Sequence, residues 1–357
     1  MWAIFVKELR QLRRDRRSLA LMIVMPLTLL VVFGYAASFD VASVQTAVVG
    51  PLADRVTAAE LPDLAEVVRV DATAGRGEAE RLLRDGEATV AVLAAAEPAV
   101  LVDGSDLFAA RAAVTALERL AAQATGGTSL PRPEVLFNPG LDTSTVMVPG
   151  LIGIILVFVG TVMTSLGVVR ERQTGTLEQL AVMPFSARDV FLGKVLPYFG
   201  IAAVDMVIVV GAGLILFDMP FRGSVPGFAL AAVLFLFVTL GNGVLISTVS
   251  QNQGQAIQLA MMTLLPQVLL SGLLFPVASM AAGVRWIAYL LPLTYFIEIS
   301  RSLLVRGASL GSLTWPFLLL AVLGAVVFTA SILRFRRDLA PKAAAPEAPH
   351  VEAVPAR

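Results

Sequence analysis

The chain has 357 residues, of which 57% are hydrophobic and 15% charged, and its 27 basic and 27 acidic side chains give a formal net charge of zero. Soluble domains are roughly 45–50% apolar and about a quarter charged, so lipid is the expected solvent, and the neutral balance offers nucleic acid no bulk attraction. No cysteine and one histidine, His350 in a Pro/Ala-rich tail, exclude disulfides, thiolate chemistry and Cys/His metal sites.

In chain order, Trp2, Phe5, Val6, Leu9 and Leu12 fall at helical spacing opposite Lys7, Arg10, Arg14 and Arg17. That pattern predicts an amphipathic helix over 1–17 lying in the cytoplasmic interface. It serves as an orientation signal or as an elbow passing force into the first span, and the two roles are compatible. Roughly 20 apolar residues cross the hydrocarbon core. Six segments meet or approach that length: Ser18–Ala37, Met147–Val169, Val195–Phe217, Pro226–Val249, Ala256–Met280 and Leu313–Leu333. Ala36-Ala37-Ser38 has the form of a cleavage site, yet the apolar stretch before it exceeds the ~7–15 residues of a signal peptide, so 18–37 is read as the first span.

Between the first two spans lies a polar insert, 38–146. Thr46–Gly50, Glu66–Val70, Thr89–Ala94 and Ala99–Asp103 have strand composition, while Arg76–Arg84 and Asp106–Gln123 read as helices, the second with Asp106 as N-cap. The alternation predicts a small α/β domain with a mixed sheet. Pro131, Pro133, Pro139 and Gly140 then form a stiff return to the membrane. The insert shows no catalytic constellation.

Lys and Arg cluster before the first span, between the second and third (Arg170, Arg172, Arg188, Lys194) and after the sixth (Arg334, Arg336, Arg337, Lys342). Six spans put all three clusters on one side, so both termini are expected in the cytoplasm and the insert outside. Arg285, Arg301 and Arg306 dissent from the outer side. The short apolar stretch Trp286–Ile297, broken by Pro292, reads as part of an outer re-entrant segment over 285–307. The tail 334–357 is expected to be cytoplasmic and largely disordered. The fold class is thus an all-α polytopic bundle of six transmembrane helices, with both termini inside, carrying a small α/β extracytoplasmic domain. Asp205 is the only ionisable residue within a span. It is a functional candidate on the substrate or proton path, or a structural group hydrogen-bonded to Asn242, Gln258 or Gln267.

The most informative stretch is the loop 170–194, RERQTGTLEQLAVMPFSARDVFLGK, two short helical pieces suited to lie along the membrane and meet a cytosolic partner. ERQTGTLEQLAVMPFSARDVFLGK resembles the intracellular loop of type-2 ATP-binding-cassette (ABC) exporter permeases. VLVDGSD (100–106) and FNPGLDTSTVMVPGLIG (137–153) resemble segments of the subgroup with a large extracytoplasmic insert between the first two spans. LPLTYFIEISRSLLVRG (291–307) resembles that family's segment near the outer mouth. The likeness runs in order to about Leu339, with Leu291 and Gln173 as its mild departures.

The resemblance implies a permease subunit that pairs with a second one, identical or paralogous, in a bacterial inner membrane above cytosolic ABC ATPases. It implies that 171–180 is a coupling helix, with Glu171, Arg172, Gly175, Thr176 and Glu178 as the ATPase-docking set. Pro292, Thr294, Tyr295 and Glu298, with Asp205, become candidates for the path or gate. The chain is expected to be non-catalytic, with no metal site and no cofactor of its own: it lacks G-x-x-x-x-G-K-[ST], so ATP and Mg belong to the partner. The implied function is outward movement of a hydrophobic or amphipathic compound, of the drug or lipid class. One alternative is an ATPase-driven mechanotransmission or scaffold subunit acting on an extracytoplasmic partner or adaptor. Another is a secondary transporter, which is expected to show intramembrane charges and an internal repeat.

Overall fold

The computed structural model describes residues 41, 43–56, 61–123, 131–174 and 187–339. The predicted interfacial helix, the first span and the tail lie outside these residues or almost wholly so.

Period-two alternation of small and branched apolar residues builds one five-stranded sheet. Its strands are β1 (Val44–Val49), β2 (Ala65–Asp71), β3 (Val90–Leu93), β4 (Ala99–Asp103) and β5 (Pro133–Leu136), in the order β2-β1-β3-β4-β5. β1 runs parallel to β2 and β3, β4 is antiparallel to β3, and β5 is parallel to β4. Alternate side chains reach opposite faces. Ala47, Val49, Ala91 and Leu101 meet Leu82 and Leu83 of α1 (Arg76–Asp85). Val44, Val90, Val100 and Val102 meet Ala110, Ala113 and Leu117 of α2 (Leu107–Gln123). Asp106 Oδ1 accepts from the Ala109 N–H at 3.2 Å, the capping bond expected of it. β5 was not expected from the sequence, where its prolines read as a return loop. Pro133 opens an edge strand, where a missing N–H costs least.

The rest is helical. α3 (Thr143–Phe158), a π turn at Val159–Met163 and α4 (Thr164–Gln173) form one helix of 31 residues. α5 (Ala187–Leu216), α6 (Val225–Val249), α7 (Gln253–Leu270), α8 (Ala282–Ala288), α9 (Pro292–Arg301) with a second π turn at Ser302–Arg306, and α10 (Thr314–Leu339) follow. Among the described residues four helices are long and apolar enough to cross a membrane: Thr143–Gln173, Val195–Leu216, Val225–Val249 and Thr314–Arg334. The bent pair of α8 and Pro292–Arg306, angled at 75°, is either a fifth, broken span or a re-entrant segment of the kind expected over 285–307. The predicted fifth span, Ala256–Met280, is corrected at its end. α7 stops at Leu270, and Gly272, at φ +86°, turns the chain into a short 3-10 turn at Val277–Ser279. Pro266 sits inside α7, and Pro276 lies beyond its end.

α6 is the centre of the bundle. Phe235 stacks on Phe296 of α9 with ring centroids 4.3 Å apart. Thr161 Oγ1 donates to Thr239 O at 3.2 Å, and Ser331 Oγ on α10 donates to Gly241 O at 2.9 Å. Small residues let these backbones close up, as membrane helices do where water supplies no hydrophobic drive. At the other extreme, Ile201, Val204, Val207, Ile208 and Ile215 leave an exposed apolar face along α5.

A Cβ at Gly243 would lie 2.8 Å from Thr161 O and 3.2 Å from Gly160 O, both backbone atoms that cannot step aside. Gly243→Val is expected to cost about 1–3 kcal/mol, the usual range for overpacking. It should lower the thermal midpoint of the purified chain in detergent. Gly211→Ala, with nothing within 4 Å of its Cβ, should leave the midpoint unchanged. Equal midpoints for both variants would contradict the close α6 contact.

Candidate functional site

The bend between α8 and α9 is fixed by α9's first turn. Pro292 occupies the start of α9, where its missing N–H would go unused anyway. Thr294 Oγ1 donates to Ala288 O at 2.7 Å, and the Tyr295 hydroxyl donates to Tyr289 O at 2.6 Å, so carbonyls at the end of α8 find partners across the bend. Three of the four predicted outer residues, Pro292, Thr294 and Tyr295, therefore hold this corner. Glu298 is different: its side chain is exposed into a cavity of about 240 Å³ beneath the bend. Thr294 and Arg301 of α9, Ser105 and Asp106 at the start of α2, and Ser271 past the end of α7 share its lining.

Arg306 also reaches this cavity and joins the sheet domain to the bundle. Its Nη1 lies 3.4 Å from Asp103 Oδ2, with only 14% and 4% of the two side chains exposed, and its Nη2 donates to Ser302 Oγ. Gly86, left-handed at φ +75°, makes room: a Cβ there would stand 2.7 Å from Arg306 Nη1. Beside this pair, Asp85 Oδ1 accepts from the Ser309 N–H at 3.2 Å and from its hydroxyl at 3.1 Å. Asn138 closes the entry to α3, donating to Gly104 O at 3.2 Å and Asp142 O at 3.1 Å while accepting from the Asp142 N–H at 3.0 Å. Burial pushes the Asp103 carboxyl above the ordinary carboxylate range; Arg306, the Ser105 hydroxyl and the Ser105 N–H, which donates at 2.8 Å, oppose that rise.

At the far end of the 31-residue helix, Arg172 Nη1 donates to Ser247 O at 2.9 Å and Ser250 O at 3.1 Å, capping the C-terminus of α6. Gln253 Nε2 donates to Gln173 Oε1 at 3.0 Å. Glu171 is half-buried in the same turn. Gly175, Thr176 and Glu178 lie outside the described residues. A second cavity, of about 380 Å³, opens beside the first π turn between Val159, Met163, Gly167 and Arg170 on one side and Tyr198 and Leu240 on the other. Asp205 sits half-buried on α5. Its Oδ2 has no hydrogen-bond partner, nor have Gln258 Oε1 and Gln267 Oε1, and among the described residues no bond joins it to Asn242, Gln258 or Gln267. The structural bond anticipated for it is thus not made within these residues.

Sequence reasoning missed Asp103, Ser105, Ser271 and Arg306 as parts of one site. Two signals pointed there: the quoted VLVDGSD motif, and the outer arginines that broke the charge rule.

Residues 16–333 match the model of the ABC-2 family transporter proteins. The chain is 30% identical over 336 aligned positions to the probable multidrug ABC transporter permease YbhS of Escherichia coli (strain K12), covering 85% of this chain and 88% of that protein. It is 28% identical over 366 positions to the probable multidrug ABC transporter permease YbhR of the same strain, covering 95% and 99%. Similarity to the inner membrane transport permease YhhJ of that strain is 34% over 213 positions, covering 57% and 54%.

Breaking a buried ion pair on one side costs about 3–5 kcal/mol. Arg306→Gln should do so at neutral pH and should raise the Asp103 carboxyl further. Below the unfolded value, near 3.9, Asp103 is protonated in both states and the variant's deficit should be small. As pH climbs through the raised folded value, an uncompensated charge forms and stability is lost. The gap in thermal midpoint between wild type and variant should therefore widen from pH 4 to pH 8, and Asp103→Asn in the Arg306→Gln background should flatten it. A gap independent of pH would rule out this pairing as its source.

Proposed function

The chain belongs to the ABC-2 transporter family, and on that premise we propose that it is the membrane-spanning permease subunit of an ATP-driven exporter, powered by a separate cytosolic ATPase. The observation that carries this reading is the likeness to permeases named as multidrug ABC transporter components over most of both chains. The cargo on this reading is a hydrophobic or amphipathic compound of the drug or lipid class, moved outward. The mostly apolar cavity beside the first π turn supports that class, since it offers few groups to a multiply charged solute.

The ATPase docks on 171–180, with Glu171, Arg172, Gly175, Thr176 and Glu178 in the contact, and it binds the ATP and Mg. Arg172 also has the capping role described above, so Gly175, Thr176 and Glu178 carry most of the recognition. The subunit pairs with a second permease, identical or paralogous, in a cytoplasmic membrane with both termini inside and the sheet domain outside. Pro292, Thr294 and Tyr295 shape the outer gate, Glu298 faces it, and Asp205 lies along the path. A second reading, a subunit that transmits force to an extracytoplasmic partner, draws its support from Asp103–Arg306 and Asp85–Ser309, which tie the sheet domain to the outer bend.

The test is copurification of the tagged chain in mild detergent. An ABC ATPase should accompany the native chain. Its yield should fall about tenfold in Glu178→Ala and further in Glu171→Ala/Glu178→Ala, with the thermal midpoint of Glu178→Ala unchanged. An ATPase retained at full yield by both variants would refute the docking assignment. Its absence from the native chain under several extractions would refute the function itself.

A further inference from the structure

The cavity under the α8–α9 bend collects polar groups that the protein does not satisfy. Ser105, Ser271, Arg301 and Arg306 all line it; Ser271 Oγ, Arg301 Nε and Arg306 Nε are buried without a hydrogen-bond partner, while the Ser105 hydroxyl acts on the Asp103 carboxylate. Buried donors left unmatched are costly, so three among the residues around one space call for something that accepts hydrogen bonds.

Charge decides what kind. Arg306 is matched by Asp103. Arg301, by contrast, forms no ion pair or hydrogen bond with another described residue, although Asp106 and Glu298 stand near enough to act on it through space. Asp106 and Glu298 are two acids against one unmatched guanidinium. A simple anion at Arg301 would face both carboxylates. A simple cation would leave Arg301 and the serine hydroxyls unanswered. A group carrying an acidic oxygen cluster and an amine within one short span answers all of them. Size narrows the choice further. At about 240 Å³ the space is below the ~300–1,000 Å³ of pockets that enclose drug-sized molecules, and suits a headgroup.

We propose that this cavity is a binding site for a zwitterionic headgroup, with a phosphate or carboxylate held by Arg301, Ser105 and Ser271 and a protonated amine facing Glu298 and Asp106. The site is formed within one subunit, between the sheet domain and the bundle, and its occupancy does not depend on the export reading. Such a ligand bridges α2 to α7 and α9, adding a third tie to the two that already hold the sheet domain in place. The same chemistry is presented by an amino-phospholipid at the membrane surface and by a free amino-phosphate ester.

The experiment uses the full chain in detergent after lipid removal, with glycerophosphoethanolamine, glycerophosphoglycerol, inorganic phosphate and ethanolamine titrated separately by calorimetry. Glycerophosphoethanolamine should bind one to one, at least tenfold tighter than phosphate or ethanolamine. Arg301→Gln should weaken it tenfold or more. Glu298→Gln, at a position already exposed to the cavity, should keep the fold and erase the preference over glycerophosphoglycerol. Native mass spectrometry before lipid removal identifies the source: retained phosphatidylethanolamine marks a lipid site, and a bare chain that takes the soluble ester marks a solute site. If the folded, delipidated chain shows no saturable binding of glycerophosphoethanolamine, or if Glu298→Gln and Arg301→Gln bind it as tightly as wild type, water alone fills the cavity and the proposal falls. Transport plays no part in the readout, so failure here leaves the proposed function standing.

Discussion

The end of this protein that carries the sheet domain is arranged around the Arg306 guanidinium and the carboxylate of Asp103. A sheet domain packed on its own two helices has no need of the bundle, and the bundle has its own aromatic core around Phe235 and Phe296. What fixes one to the other, beside the Asp85–Ser309 contact, is a buried ion pair, whose two charges recover the cost of lost water from each other and from the hydrogen bonds around them. The neighbouring features follow from that constraint. Gly86 lacks the Cβ that would strike the guanidinium, Ser302 takes its second nitrogen, and Ser105 donates to the carboxylate from behind. The pair is therefore a geometric lock, since a small displacement of either side would strand a charge.

Arginines elsewhere on this side obey the same logic. Arg285 donates to the carbonyls of Met280 and Ala278, matching acceptors left over where the chain turns after α7. Arg222 donates through its side chain to Val305 O at 3.2 Å and through its N–H to Leu304 O at 3.1 Å, serving the carbonyls of the second π turn. A π turn shifts the hydrogen-bond register, so its carbonyls need partners from outside the helix. Arg285, Arg222 and Arg306 are thus structural fasteners at broken helices.

The strands β1 to β4 and helices α1 and α2 follow local rules, alternation and capping, and residues such as Asp106 announce them. α6 and α10 were readable as uninterrupted apolar runs. β5 was hidden because its prolines argue against a strand unless the sheet edge is known. α7 was overextended because Leu273, Leu274 and Phe275 are apolar enough to continue a span, while the left-handed Gly272 that ends it has no signature among the glycines of membrane helices. The cavity under the α8–α9 bend was least legible. Ser105, Ser271, Arg301 and Arg306 come from segments far apart in sequence, and only the fold brings them together.

The long helix from Thr143 to Gln173 connects the two ends at which this chain is most firmly tied. At one end Asn138 knots the entry to the sheet domain; at the other Arg172 holds the C-terminus of α6. The 31 residues between them rise about 46 Å, so a displacement at the Gln173 end acts on a lever that reaches the cavity under the α8–α9 bend, where Val146 lies on its wall. A uniform helix so tightly packed would move only as a rod. The π turn at Val159–Met163 interrupts it halfway, beside the 380 Å³ cavity, with Gly160 set against Thr239. On the export reading, that interruption lets the two halves tilt separately while their ends stay fastened. The cavity beside it then opens and closes with the tilt, and the Asp103–Arg306 lock determines whether the sheet domain follows.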